Sequence, residues 1–165
     1  GAVRLVGASG LYVTEPVGGP ADQPDYINAV LEVRTSLDPY ALLALCQQVE
    51  AHHHRVRLVR WGPRTLDIDV ITYDDLVSDD PALTLPHPRA HERAFVLVPW
   101  EQANPQAVIP SRDAATGEQT RHLVADLARR VRAADERAGV NAVRFMRDMN
   151  LPKNLFDSGA ESEGV

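Results

Sequence analysis

One cysteine, Cys46, stands in 165 residues. No disulfide can form within the chain, and the lone thiol fits a reducing compartment. Long apolar runs are also missing: nothing approaches the ~18 residues of a membrane-spanning helix, and no secretory leader is visible. The expectation is a cytoplasmic protein with no membrane partner. A basic excess is absent as well. Lys plus Arg number 17 against 23 Asp plus Glu, a formal net charge of -6, and the pI is near 5.4. That balance argues against a general nucleic-acid binder, which needs a basic face for phosphate. No internal repeat is present. One domain is the default at this length, able to bury roughly 68–70% of its unfolded surface. The hydrophobic share of 44% and charged share of 24% are ordinary for a globular chain.

The most telling shortage is local. No acid occurs between Glu50 and Asp67, and four arginines, Arg55, Arg57, Arg60 and Arg64, fall inside that gap. The run Arg55-Val-Arg-Leu-Val-Arg-Trp-Gly-Pro-Arg64 leads straight into Asp67-Ile68-Asp69. A locally basic island ending in two carboxylates suits a polyphosphate and its metal ions: carboxylates bind Mg²⁺, Mg²⁺ binds phosphate oxygens, and guanidinium groups take the remaining charge. Alternation over Leu66–Tyr73 reads as a strand with Asp67 and Asp69 on one face, their Cα atoms roughly 6.6 Å apart. Asp-x-Asp alone is equally well explained by a solvated strand face. The neighbouring arginines shift the balance toward function, and Gly62-Pro63 reads as a turn that aims Arg64 at the same place.

Elsewhere the patterning is coarser. Leu5–Tyr12 reads as a strand, Thr14–Asp25 as a turn-rich loop, and Ile27–Thr35 as a half-buried strand by its alternation. Asp38-Pro39 opens a helix, with Asp38 as the cap and Pro39 in the first helical position. Leu42, Leu45, Cys46 and Val49 form its apolar stripe, which makes Cys46 a small core residue and not a nucleophile. The helix is expected to end between Glu50 and His53, leaving Arg55 and Arg57 on a loop. His52-His53-His54 cannot all face one ion from a regular helix, so a solvated helix end is the better reading. Tyr73–Pro81 is an acidic turn. Pro86-His87-Pro88 is rigid, with one imidazole between two prolines. Ile109–Gln119 reads as a loop, Arg121–Gly139 as a helix stopped by Gly139, and Val143–Met149 as a short further helix. Asp157–Val165 is polar enough for disorder to be expected.

Several ordered motifs resemble the 6-hydroxymethyl-7,8-dihydropterin pyrophosphokinase family of folate biosynthesis. They are Tyr12-Val-Thr-Glu-Pro-Val-Gly-Gly19, Gln23-Pro-Asp-Tyr-Ile-Asn-Ala-Val30, the arginine–aspartate run from Arg55 to Asp69, Leu85-Pro-His-Pro88 and Glu92-Arg-Ala-Phe-Val-Leu97. The likeness runs from about Leu11 to Pro105. It departs at His54, where the family commonly has Gly. It departs also at Ala82, where some members have Arg, and at Pro88, where some have Tyr. The family pattern begins with an earlier strand, Gly-Ser-Asn loop and helix that have no counterpart among these residues. The chain therefore reads as an N-terminally incomplete pyrophosphokinase domain over 1–139 with an extension over 140–165.

What the resemblance implies is specific. The fold would be α+β, a ferredoxin-like antiparallel sheet with helices packed on it in three layers, α/β/α. The reaction would move diphosphate from ATP to 6-hydroxymethyl-7,8-dihydropterin and release AMP. Asp67 and Asp69 would hold two Mg²⁺ ions. Arg55, Arg57 and Arg64 would serve catalysis and bind ATP, together with Thr84, His87 and Arg93. Thr14, Glu15, Pro16, Val17, Tyr26, Asn28 and Phe95 would form the pterin pocket, and Glu50 would orient the arginine loop. A monomer is expected, with fusion to another folate enzyme as an option. Two rivals come from other classes: a catalytically silent pterin- or nucleotide-binding relative, and a Mg-dependent nuclease built on Asp-x-Asp and Arg, against which the acidic pI counts.

Overall fold

The computed structural model describes residues 2–14, 25–58, 66–140 and 143–152, with the backbone alone at 55–58. The chain is α+β. Two β-strands, β1 (Val3–Ala8) and β2 (Leu11–Thr14), open it, followed by β3 (Tyr26–Asn28) and β4 (Leu31–Thr35). Helix α1 (Pro39–Leu58) comes next, then a 3-10 turn (Ala90–Glu92) and α2 (Ala94–Ala103). A hairpin of β5 (Val108–Arg112) and β6 (Gln119–Leu123) leads into α3 (Val124–Arg137), and β7 (Val143–Arg147) closes the described part. Every ladder is antiparallel: β1 with β4, β2 with β3 and with β7, and β5 with β6.

Local chemistry explains where several elements start and stop. The two long strands read from the sequence are each broken in two. Ser9 ends β1 because its backbone and hydroxyl turn to Val30: Ser9 N–H donates to the Val30 carbonyl and Val30 N–H to Ser9 Oγ, both at 2.9 Å. The same pair of bonds separates β3 from β4. At Gly10 a Cβ would lie 2.6 Å from the Phe145 ring and 2.8 Å from the Arg147 carbonyl, so the glycine lets β7 come close to the start of β2. Asp38 does cap α1, accepting from Ala41 N–H at 2.9 Å. Asp38→Ala should remove that bond and cost about 1 kcal/mol. A melting curve should show a fall of roughly 2–4 °C, and an unshifted midpoint would mean the cap contributes nothing.

Five expectations need correction. Helix α1 runs on to Leu58, past the stop expected near His53, so Arg55 and Arg57 belong to its last turn and not to a loop. Residues 66–73 form no strand and join no ladder among the described residues. Alternation of residue types does not supply the partner that a strand needs. The stretch taken as a loop, Ile109–Gln119, forms β5 and the turn of a hairpin. The helix expected from Arg121 begins only at Val124, because Gln119–Leu123 pairs with β5. Val143–Arg147 is a strand, not a helix, bonded along β2. Gly139, at φ 67°, ends α3 as read.

The core lies where α2 meets α3 and the base of the hairpin. Ala90, Val96, Leu97, Trp100, Ala107, Ile109, Val124 and Ala128 are buried together, and Val30, Ile71 and Phe95 pack against them. Val124 N–H donates to the Ala107 carbonyl at 2.9 Å, locking α3 to the hairpin. Cys46 is half-buried, and burial pushes its thiol pKa up, as expected of a packing residue. No described helix is long and apolar enough to cross a membrane.

Candidate functional site

Two stretches far apart in sequence come together beside α1. Glu50, on that helix, accepts a hydrogen bond from the backbone N–H of Ile68 at 2.5 Å. The bond anchors the peptide between Asp67 and Asp69 to the helix whose last turn carries Arg55 and Arg57. Ile68 is half-buried, while Asp67 and Asp69 are exposed. Their donor set, hard oxygens on two free acids, fits Mg²⁺, which takes one or two carboxylates and completes its shell with water and phosphate. Among the described residues no third His, Cys, Asp or Glu joins them.

Backbone bonds fix the Pro-His-Pro segment to the same stretch. His87 N–H donates to the Ile71 carbonyl at 2.8 Å, and Ser78 and Leu85 exchange N–H···O bonds at 2.8 and 3.0 Å. The Nδ1 atom of His87 is buried and has no hydrogen-bond partner among the described residues. An unpaired buried polar atom costs about 1–3 kcal/mol, so a ligand group that pairs with it recovers part of that cost. Thr84, half-buried, donates its hydroxyl to the Asp80 carbonyl at 3.0 Å. That proton is therefore engaged within the loop. Tyr40 of α1 donates to the Asp80 carboxylate and holds its pKa below the usual range, and Tyr73 donates to the Leu37 carbonyl at 2.6 Å. Both bonds tie this loop to the start of α1.

A second group assembles on β2 and β3. Register pairs Tyr12 with Asn28 and Thr14 with Tyr26, which puts all four side chains on one face. Tyr12 donates its hydroxyl to Gln102 Oε1 at 3.0 Å, so that face turns toward α2. Asn28 Nδ2 donates to Thr14 Oγ1 at 2.9 Å, and Thr14 is buried. The bond leaves the Asn28 carbonyl oxygen and its second N–H for other partners. Tyr26 is 60% exposed, an aromatic surface with little of the chain packed on it. Phe95, near the start of α2, is half-buried against the core, and the Arg93 guanidinium lies over its ring at 5.4 Å from the centroid. The sequence assigns Arg93 and Phe95 separate duties. Their contact across the helix cap is a feature only the structure reveals; the sole signal is their spacing of two residues around the N-cap.

The predicted site residues thus fall into four sets, one of them Arg93 and Phe95 in contact at the start of α2. Asp67, Asp69 and His87 are linked by main-chain bonds, with Thr84 in the same loop. Thr14, Tyr26 and Asn28 share a sheet face. Glu15, Pro16, Val17 and Arg64 lie outside the described residues, and of Arg55 and Arg57 only the backbone is described.

The chain is similar to known proteins over much of its length. The description of the matching family is 7,8-dihydro-6-hydroxymethylpterin-pyrophosphokinase, and the match covers residues 2–105. A 2-amino-4-hydroxy-6-hydroxymethyldihydropteridine pyrophosphokinase of Haemophilus influenzae is 43% identical over 113 residues, 68% of this chain and 70% of that protein. The protein of the same name from Pseudomonas aeruginosa is 44% identical over 107 residues, 65% of each chain. The folic acid synthesis protein fol1 of Schizosaccharomyces pombe is 31% identical over 159 residues, which is 96% of this chain and 22% of that much longer one. The chain thus spans about two thirds of the length of the single-enzyme relatives, and it belongs to the 7,8-dihydro-6-hydroxymethylpterin-pyrophosphokinase family.

Proposed function

We propose that the chain transfers diphosphate from ATP to 6-hydroxymethyl-7,8-dihydropterin, as a 2-amino-4-hydroxy-6-hydroxymethyldihydropteridine diphosphokinase of folate synthesis. The observation that carries this reading, given the family, is the 2.5 Å bond from Ile68 N–H to Glu50. It holds the two-aspartate peptide against the helix that bears Arg55 and Arg57. Metal and phosphate ligands are then set by one helix.

In this reading the hydroxymethyl oxygen attacks the β-phosphorus of ATP. The bridging bond between the α- and β-phosphates breaks, AMP leaves with the bond's electron pair, and the hydroxyl proton is lost to solvent. Asp67 and Asp69 hold two Mg²⁺ ions, which when bound neutralise phosphate charge and help to polarise the attacking hydroxyl. Arg55, Arg57, Arg64 and Arg93 bind phosphate oxygens and offset charge on the transferred group. His87 pairs its buried Nδ1 with the nucleotide, and Thr84 adds a contact. Asn28 reads the heterocycle edge, Tyr26 and Phe95 offer aromatic faces to the ring, and Thr14, Glu15, Pro16 and Val17 wall the pocket. Positioning and electrostatics suffice for such a transfer, so no protein nucleophile is needed.

The proposed setting is cytoplasmic, with a monomeric domain whose strands and helices follow a ferredoxin-like three-layer plan. The long relative from Schizosaccharomyces pombe makes fusion to other folate enzymes a further part of the proposal. The test is direct. With Mg²⁺, ATP and the dihydropterin, AMP should form only when the pterin is present. Nucleotide and pterin binding without AMP would replace the enzyme reading by that of a silent binding relative.

A further inference from the structure

The backbone N–H of Gly10 and the hydroxyl of Tyr12 converge on one atom, Gln102 Oε1, at 2.7 and 3.0 Å. A backbone N–H can only donate, so that atom is the amide oxygen, and Tyr12 donates to it too. Both lone pairs of the oxygen are then engaged. Burial pushes the Tyr12 phenol pKa up, which keeps the hydroxyl protonated. Gly10 leads into β2, Tyr12 lies within it, and Gln102 stands near the end of α2. The approach there is close: a Cβ on Gly7 of β1 would lie 2.8 Å from the Ala103 carbonyl. The proposed reaction makes no direct use of Tyr12 or Gln102, but they join two elements that it does use. Tyr12 is the direct cross-strand partner of Asn28, and Asn28 donates to Thr14 of β2 at 2.9 Å. On the β7 side the Phe145 ring meets Tyr12 edge-on, 5.6 Å between centroids. Helix α2 carries Phe95 as well as Gln102. Seven residues fall about 20° short of two helical turns, so the two side chains leave nearly one side of the helix.

We infer that Gln102 is a positioning residue for the pterin: through Gly10 and Tyr12 it clamps β2 to α2. The clamp fixes the spacing between the Asn28–Thr14 pair, which reads the heterocycle edge, and the Phe95 ring, which offers it a face. The inference rests on the pterin roles proposed for Asn28 and Phe95 and adds the device that sets their separation. A planar heterocycle has to satisfy edge and face at once. Hydrogen bonds weaken steeply as angle and length leave their optimum. A helix free to shift on the sheet would let the ligand keep the face or the edge, but not both. Asp67, Asp69 and His87 are held by other bonds, from Ile68 N–H to Glu50 and from His87 N–H to the Ile71 carbonyl. The clamp therefore acts on pterin affinity and leaves the nucleotide set in place.

The test follows AMP formation by the 165-residue chain with Mg²⁺ while 6-hydroxymethyl-7,8-dihydropterin and ATP are varied in turn. Tyr12→Phe deletes one bond and keeps the ring. Its KM for the pterin should rise about three- to tenfold, the worth of one neutral hydrogen bond, while its KM for ATP stays close to the unaltered value. Gln102→Met deletes both bonds and should raise the pterin KM at least as much. Gln102→Glu keeps an acceptor oxygen for both donors and should return the pterin KM to near the unaltered value. Tyr12→Phe combined with Gln102→Met should be no worse than Gln102→Met alone, because both break the same bond. A merely structural tie would lower the melting temperature and leave both KM values unmoved or moved together. That outcome, or a pterin KM unchanged in Tyr12→Phe and Gln102→Met, overturns the clamp. Asn28→Ala checks the pterin reading by itself and should also raise the pterin KM. If it does so while the Tyr12 and Gln102 variants do not, the pterin site stands and the clamp falls. An unchanged KM in Asn28→Ala, or no AMP from the unaltered chain, overturns the reading of the site and the clamp with it.

Discussion

Asp69→Ala is expected to lower pterin-dependent AMP formation about a hundred- to a thousandfold while the melting temperature stays within a few degrees of the unaltered chain. The size follows from what the carboxylate does in the proposed reaction. A group that helps to hold charge at the transferring phosphates acts when negative charge shifts toward the leaving oxygen, and the loss of one such contact typically costs about 3–4 kcal/mol of transition-state stabilisation. At 1.36 kcal/mol per factor of ten, that is about two to three orders of magnitude. The unchanged fold follows from the position. Asp69 is exposed, and the anchoring bond of the stretch uses the Ile68 backbone N–H, not an aspartate side chain. Asp69→Asn should lose nearly as much activity, since it keeps the shape and removes the charge. Turnover at the unaltered rate in either variant would sink the metal role given to Asp69.

The elements that were legible in the sequence are those with a local cause. The start of α1 is written in Asp38-Pro39, because a cap needs only its own helix's first N–H groups, and the observed bond to Ala41 is of that kind. The end of α3 is written in Gly139, whose positive φ suits the residue after a helix. The end of α1 lacks such a mark. No glycine or proline occurs between Pro39 and Gly62, and nothing local halts the helix at the histidines. Pairing between distant segments is the other blind spot. The hairpin of β5 and β6 hides behind Pro110, Asp113 and Gly117, which read as loop residues; Asp113 and Gly117 in fact build its turn, where Gly117 N–H donates to the Asp113 carbonyl at 2.9 Å. The helical spacing of Leu123, Leu127 and Val131 extends one step too far toward the N-terminus, into a strand. In β7 the sequence Val-Arg-Phe-Met-Arg breaks alternation at Met146, and its partner is β2, more than a hundred residues earlier.

The candidate site divides along the same line. Asp67 and Asp69 stand out because two acids follow an acid-free basic run, a matter of composition alone. The pairing of Asn28 with Thr14 and the contact of Arg93 with Phe95 depend on register and on a helix cap, and neither leaves a trace in residue types. Thr84 shows the limit from the other side. Its match to a nucleotide contact is a matter of motif, yet its hydroxyl proton is committed to the Asp80 carbonyl. Only its lone pairs are left for another donor unless the loop rearranges.

The largest effect on stability should come from Leu97→Ala. Leu97 is 0% exposed, in one buried cluster with Trp100 of the same helix and with Val124 and Ala128 of α3. Removing most of its side chain loses the transfer energy of those carbons and leaves a cavity in the packed cluster. Such substitutions cost about 3–5 kcal/mol, which in a chain of this size lowers the melting temperature by roughly 6–20 °C. Leu123→Ala is the matched control. It removes the same atoms from a side chain that is 38% exposed at the end of β6, where less contact is lost and solvent fills the space. Urea titrations of both should show the midpoint of the Leu97 variant well below that of the Leu123 variant with similar slopes. Equal midpoints would mean that α2 is not packed on the cluster as described. The placement of Phe95 and Arg93, which the same helix carries, would then lose its support too.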